Sequence, residues 1–182
     1  MRTALLFVTL IPLFATMAPA QDNFPPAPAG FKWKQFETTK ALLLVPEGWF
    51  VKEQSEKGTD AFFITQENID NKGRYSTGLS VNVVQKLKDK KALEVARSHI
   101  AKLTKQNEAE STWETTAGKL KGYGCQIKAD KNGPLRMSCL ALANTETNTL
   151  YLVVFEAPEA DWDAAWKKGA EMMKKLGFDD EV

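Results

Sequence analysis

Residues 149–176 read TLYLVVFEAPEADWDAAWKKGAEMMKKL, and the two halves of this stretch obey different periods. Thr149-Leu150-Tyr151-Leu152-Val153-Val154-Phe155 is a run of β-branched, aromatic and aliphatic residues, the composition of a strand. From about residue 159 to 176 the apolar side chains return at intervals of three and four: Trp162, Ala165, Trp166, Gly169, Met172, Met173 and Leu176. That spacing puts them on one side of a helix, with Asp163, Lys167, Glu171, Lys174 and Lys175 on the other. Acidic residues open this helix, lysines close it, and Gly177 stands where a C-cap is expected. Gly169 falls inside the apolar stripe, where a missing side chain lets the helix approach a sheet closely.

Working outward from there, strand signals dominate. Ala41-Leu42-Leu43-Leu44-Val45 is a continuous apolar run ended by Pro46 and Gly48. Residues 49–56 and 60–66 form a hairpin around Lys57-Gly58. Over 77–87, Leu79, Val81, Val83 and Leu87 share one face, the alternation of a sheet covered on one side. Further strands are expected near 117–129 and 134–144. A second helix over 91–105 gathers Ala92, Leu93, Ala96, Ile100 and Leu103 on one side. This order of strands, helix, strands and helix predicts an α+β fold, with helices packed on an antiparallel sheet.

Two cysteines, Cys125 and Cys139, flank the turn Lys131-Asn132-Gly133. A three-residue hairpin loop with Gly133 in the left-handed position pairs Asp130 with Pro134, and the same register sets Cys125 opposite Cys139. Slipping by one residue would put the thiols on opposite faces. The spacing is not CxxC and no histidine lies nearby, so a structural cross-strand disulfide is preferred to a redox pair or a metal site.

At the other end of the chain, Arg2 precedes an apolar run that begins at Ala4 and continues to about Ala15, and Ala18-Pro19-Ala20 supplies a small-x-small cleavage pattern. The run is short of the roughly 20 apolar residues a membrane span needs. Residues 1–20 therefore read as a signal peptide, with Gln21 the new N-terminus of an exported protein, periplasmic or extracellular. No cysteine follows the run, so lipid anchoring through an acylated N-terminal cysteine is not expected, and export favours oxidation of the two cysteines that are present. Residues 21–30, QDNFPPAPAG, read as a Pro/Ala-rich tether, and 31–182 as a single globular domain.

Of 24 Lys+Arg and 23 Asp+Glu in the whole chain, only Arg2 lies in the leader, so the mature chain is formally neutral. That balance disfavours nucleic acid and anionic lipid as partners. Catalytic and metal-binding patterns are not found. His99, the only histidine, sits on the flank of the first helix with no nucleophile or orienting carboxylate in view. Asn68 to Gly73 has the look of a calcium loop, but Lys72 occupies a ligand position and Leu79 stands where a bidentate Glu belongs, so it reads as a polar turn. Phosphate-binding glycine loops are absent, and Gly122-Tyr123-Gly124 marks a bend or a close backbone contact. Neither a cofactor nor a metal is called for. Among five tryptophans, Trp162 and Trp166 belong to the core stripe and Trp49 anchors a strand start, whereas Trp33 and Trp113 lie in polar surroundings. Trp33, Trp113 and Tyr123 are the candidates for a ligand or partner surface.

Several of these blocks together resemble the PsbP/Mog1-like superfamily, including its DcrB-type exported bacterial proteins. The similarity lies in Leu43-Leu44-Val45-Pro46-Glu47-Gly48-Trp49, in Phe62-Phe63-Ile64, in Leu79-Ser80-Val81-Asn82-Val83, in the helix over 91–105, and in Leu152-Val153-Val154-Phe155 followed by a tryptophan-bearing helix. The resemblance implies an α/β/α sandwich around an antiparallel sheet, and a role in binding other proteins or assisting assemblies rather than in catalysis. It supplies no catalytic residues, and the cysteine pair is not part of its core pattern. The expectation is a non-enzymatic binding or assembly-accessory module whose partner is an envelope or secreted protein. A small-ligand binder using a cleft between sheet and helix is the alternative, and a hydrolase comes third.

Overall fold

The computed structural model describes residues 25–39, 41–56, 58–70, 74–130 and 133–178; the signal peptide expected over 1–20 and residues 21–24 of the tether lie outside them. Among the described residues the chain runs β1 (Phe31–Gln35), β2 (Leu42–Pro46), β3 (Phe50–Glu56), β4 (Thr59–Thr65), β5 (Gly78–Val84), α1 (Ala92–Gln106), β6 (Glu108–Ala117), β7 (Leu120–Asp130), β8 (Pro134–Asn144), β9 (Thr149–Pro158) and α2 (Trp162–Lys174). A 3-10 turn at Glu159–Asp161 leads into α2. Seven strands form one antiparallel sheet in the order β3-β4-β5-β9-β8-β7-β6, while β1 and β2 pair separately as a hairpin. The α+β architecture expected from the element order is the one that forms, with sheet predominating.

Strand β9 sits at the centre of the sheet, and its apolar run is continuous because both of its faces are covered. Tyr151, Val153, Phe155 and Ala157 point into a core shared with α2 and the β1–β2 hairpin. Leu150, Leu152 and Val154 point into a second core beneath α1, with Ala92, Ala96, Ile100, Cys125 and Cys139. Gly169 permits the close approach of α2, since a Cβ there would fall 2.7 Å from three ring atoms of Phe155. On β5, Leu79, Val81 and Val83 lie on the α2 face with no exposure.

Two details differ from expectation. Leu87 packs on the α1 side instead of continuing the Leu79 face, because the strand ends at Val84 and Lys86, at φ +50°, turns the chain. Gly177 is not a helix cap: α2 ends at Lys174, and Gly177 exchanges both backbone hydrogen bonds with Leu42, at 2.7 and 2.9 Å. The chain's C-terminal end is thereby stitched to β2. Residues 25–30 lie along the hairpin. Ala27 packs against the core, and the Glu47 N–H donates to the Gly30 carbonyl at 2.9 Å.

Candidate functional site

One row of cross-strand neighbours shows where the sheet is left open. Trp113, Gly124, Leu140, Val153, Val81 and Phe62 are successive partners across β6, β7, β8, β9, β5 and β4. Directly paired residues point to the same face, here the α2 face. Val153, Val81 and Phe62 are at most 1% exposed under α2 and the hairpin, Leu140 is half-buried, and Trp113 is 36% exposed. The covering layer thus stops short of β6. The indole of Trp113 packs against Gly124 of β7, where a Cβ would collide with its ring. At Gly122 a Cβ would collide with the Ala141 carbonyl, so both glycines of Gly122-Tyr123-Gly124 mark the close contacts expected of them.

Beside Trp113, β6 itself is the outer strand of the sheet. It is ten residues long and almost wholly exposed, and β7 is its only strand partner among those described. The opposite edge, β3, is guarded differently: Lys34 of the hairpin pairs with Glu53 at 3.8 Å, and Lys52 donates to the Ile69 carbonyl at 3.4 Å. Charges and cross-edge contacts of that kind discourage strand addition. Along β6 the central Ser111-Thr112-Trp113 carries no charge, and a register shift lies between Ala109 and Ser111. Glu110 at that shift accepts from the Arg136 guanidinium on both carboxylate oxygens, at 2.8 and 2.9 Å. Arg136 in turn covers the Trp162 ring at 5.1 Å, and Trp162 stacks on Trp166 at the same spacing. Nearby, Glu159 pairs with Lys128 at 3.0 Å and holds its ammonium above the usual lysine range. Glu110 of β6 is thus linked through Arg136 of β8 to Trp162 of α2, and β7 to the 3-10 turn, while Trp113 stays open to solvent.

The three candidate surface residues are not brought together. Trp33 lies at the other end of the α2 face, on β1, half-buried, with its indole N–H donating to the Pro25 carbonyl at 2.6 Å. Tyr123 points to the opposite, α1 face. Its hydroxyl accepts from Arg97 Nε and Nη2 at 3.0 and 2.7 Å, and it lines a recess of about 210 Å³ with Leu93, Glu114, Thr116 and Lys121. Neither Glu114 nor Lys121 forms an ion pair among the described residues. Sequence reasoning passed over β6 and Arg97. The signal for β6 was present in Thr112, Trp113, Thr115 and Thr116, which favour strands, but an edge strand that is exposed on both sides shows no apolar alternation.

Cys125 and Cys139 are direct partners, and Asp130 pairs with Pro134, as the hairpin register requires. Both are buried, and the expected disulfide is not formed: the two sulfurs are not bonded to each other. A hydrogen bond with Cys139 pulls the Cys125 thiol below its usual range, against the opposing effect of burial. His99 is half-buried on the flank of α1; desolvation and then Lys102 hold its imidazole below its usual range. The expected calcium-like turn is only partly described, residues 71–73 lying outside, and Asn68 Oδ1 accepts from the Asp70 N–H at 2.9 Å as in an ordinary polar turn. Among the described residues there is no group of three metal-ligating side chains, and no helix is long and apolar enough to cross a membrane.

Neither a protein-family model nor a curated protein matches the sequence. Solved structures do match. The solution structure of cyanobacterial PsbP (CyanoP) from Synechocystis superposes over 89% of this chain and 100% of its own, with a TM-score of 0.53 and 15% identity. The Ran-binding protein Mog1p of Saccharomyces cerevisiae superposes over 81% of this chain and 95% of its own, with a TM-score of 0.53 and 14% identity. The fold is PsbP/Mog1-like. At such identities the likeness extends to the fold, while function has to be read from the site.

Proposed function

We propose that this protein is an exported, soluble, non-enzymatic binding or assembly-accessory module of the DcrB type, which engages an envelope or secreted protein through the open edge at β6. The observation that carries this reading is Trp113: a large aromatic, packed over a glycine and exposed on an outer strand whose central Ser111-Thr112-Trp113 carries no charge. Aromatic anchors of that kind dominate protein interfaces, and an open edge adds main-chain hydrogen bonds to a partner's extended segment. The leader over residues 1–20 supports export, and the yeast neighbour is itself a protein-binding protein. A module built this way needs no cofactor.

The test is in-cell crosslinking of the tagged protein in its native host, alongside Trp113→Lys and a tagged unrelated exported control, with cell fractionation of each. A specific partner captured by the wild type and lost in Trp113→Lys is the expected result. A partner retained by Trp113→Lys overturns β6 as the surface, and no specific partner at all overturns the accessory reading. The second reading, a small-ligand site in the sheet–helix cleft, rests on the Tyr123 recess, whose lining Glu114 and Lys121 form no ion pair among the described residues. It predicts that small zwitterions shift backbone amide resonances around Leu93, Thr116 and Lys121 and leave those at the N-terminal end of β6, from Glu108 to Ser111, unmoved.

A further inference from the structure

We propose that Cys125 and Cys139 are a disulfide-forming pair whose redox state is set while the chain folds and is then sealed beneath α1. The two residues face each other directly across β7 and β8, with hydrogen-bonded side chains on the same face. Direct partners in an antiparallel ladder have Cα atoms about 4.5–5.5 Å apart, inside the span of roughly 4.4–6.8 Å that a disulfide bridges. The ladder thus brings the two Cα atoms into bridging range, and joining the sulfurs, which are not bonded in this structure, takes a local adjustment at the pair.

Reaching the sulfurs is a different matter. Cys125 is 0% and Cys139 1% exposed, enclosed with Ile127, Met137 and Ala141 of the sheet under Ala92, Ala96 and Ile100 of α1. Oxidation by a disulfide-bearing oxidant proceeds in two exchanges. One cysteine thiolate attacks the oxidant's S–S bond, forming a mixed disulfide and releasing one thiol. The second protein sulfur then attacks the first, forming the Cys125–Cys139 bond and releasing the other half of the oxidant. The protein loses two protons and two electrons, and the oxidant leaves as two thiols. The mixed disulfide carries one half of the oxidant at a position buried under α1, so it forms only when α1 is off the sheet. Reduction of the closed bridge meets the same barrier.

Asn148 sets that barrier from a distance. Its Oδ1 accepts from the Ala92 N–H at 2.8 Å, supplying the N-cap that Lys91 does not, and its Nδ2 donates to the Lys90 carbonyl at 3.0 Å. Loosening this clamp opens the route to the sulfurs. A chain folded in a reducing compartment keeps its thiols, and one folded after export carries the bridge. The second statement rests on the export reading, and the first does not.

The test starts from mature protein made without its leader in a reducing cytosol and purified with both thiols reduced. Native wild type, native Asn148→Ala and urea-unfolded wild type are exposed to excess oxidised glutathione, quenched in acid, alkylated and weighed intact. The expected wild-type result is oxidation at least about 100-fold slower when native than when unfolded, with a product two hydrogens lighter and no stable glutathione adduct. Asn148→Ala is expected to oxidise about tenfold faster than native wild type; should it not fold, wild type in sub-denaturing urea provides the same acceleration. Equal native and unfolded rates overturn the sealing, and failure to form the intramolecular bridge in any state overturns the pair. In the native host, a reduced pair in protein shown by fractionation to be exported also overturns the proposal. A chain that stays in the cytoplasm with its thiols reduced overturns the export reading alone, and the glutathione experiment then decides the sealing.

Discussion

Asn148 holds two elements with one side chain. It occupies the β8–β9 turn at φ +54°, a left-handed conformation that Asn tolerates better than other non-glycine residues. From there its side chain bonds Ala92, Leu87 and Lys90, and its carbonyl accepts from the Leu87 N–H at 3.0 Å. Replacing it with Ala removes the helix cap and leaves a strained backbone, at a cost of about 2 kcal/mol in urea unfolding. Asn148→Gly loses the same side-chain bonds but relaxes the backbone, and should recover about 1 kcal/mol of that loss. His99 makes a separate prediction. Its folded-state pKa is depressed by burial, so the unfolded chain binds the proton first as pH falls. Stability is full above the unfolded value of about 6.5 and declines as pH falls through it toward the folded pKa. Urea midpoints should fall for wild type as the pH is lowered from about 8 to about 5, on either side of that value, and stay flatter for His99→Gln.

At the scale of elements, the tryptophans divide by what covers them. Trp162 is 3% exposed, stacked on Trp166 and roofed by Arg136. Its replacement by Ala should cost about 3–5 kcal/mol, measured by urea denaturation. Trp113 rests on one strand and faces solvent, and Trp113→Ser should cost less than about 1 kcal/mol in the same measurement. If that exposed indole proves as costly to remove as Trp162, β6 depends on it for folding, and its value as a partner surface falls. The same contrast explains what the sequence reveals. Strands β2, β5, β8 and β9 and both helices announce themselves because burial writes a period into them. Strand β6 has one neighbour and little cover, so no selection for buried side chains marks it. Strand β1 alternates Phe31, Trp33 and Gln35 with Lys32 and Lys34, too short a pattern to separate from a loop.

Across the whole molecule the cysteine bridge acts on stability through the unfolded chain. Closing the loop from Cys125 to Cys139 is worth about 3 kcal/mol in the chain-entropy model. For a domain of this size that corresponds to a rise of roughly 6–12 °C in Tm between reduced and oxidised protein. Calorimetry on the two forms checks it, and an unchanged Tm would mean that strain in the closed pair offsets the entropic gain.

Periodicity and turn chemistry determined the sheet-and-helix composition, the face each helix buries, the glycine at which α2 can approach a sheet, and the hairpin register that sets Cys125 against Cys139. These are local quantities, written within ten or twenty residues by the geometry of a strand or a helix turn. Only the tertiary structure decided that Trp33, Trp113 and Tyr123 lie apart, that Gly177 closes onto Leu42, that Asn148 caps a helix 56 positions away, and that α1 shuts over the thiols. Each depends on which strands become neighbours. A sheet ordered β3-β4-β5-β9-β8-β7-β6 brings β5 beside β9 and leaves β6 outermost, an order set by the combined burial of both faces that no single segment carries in its own pattern.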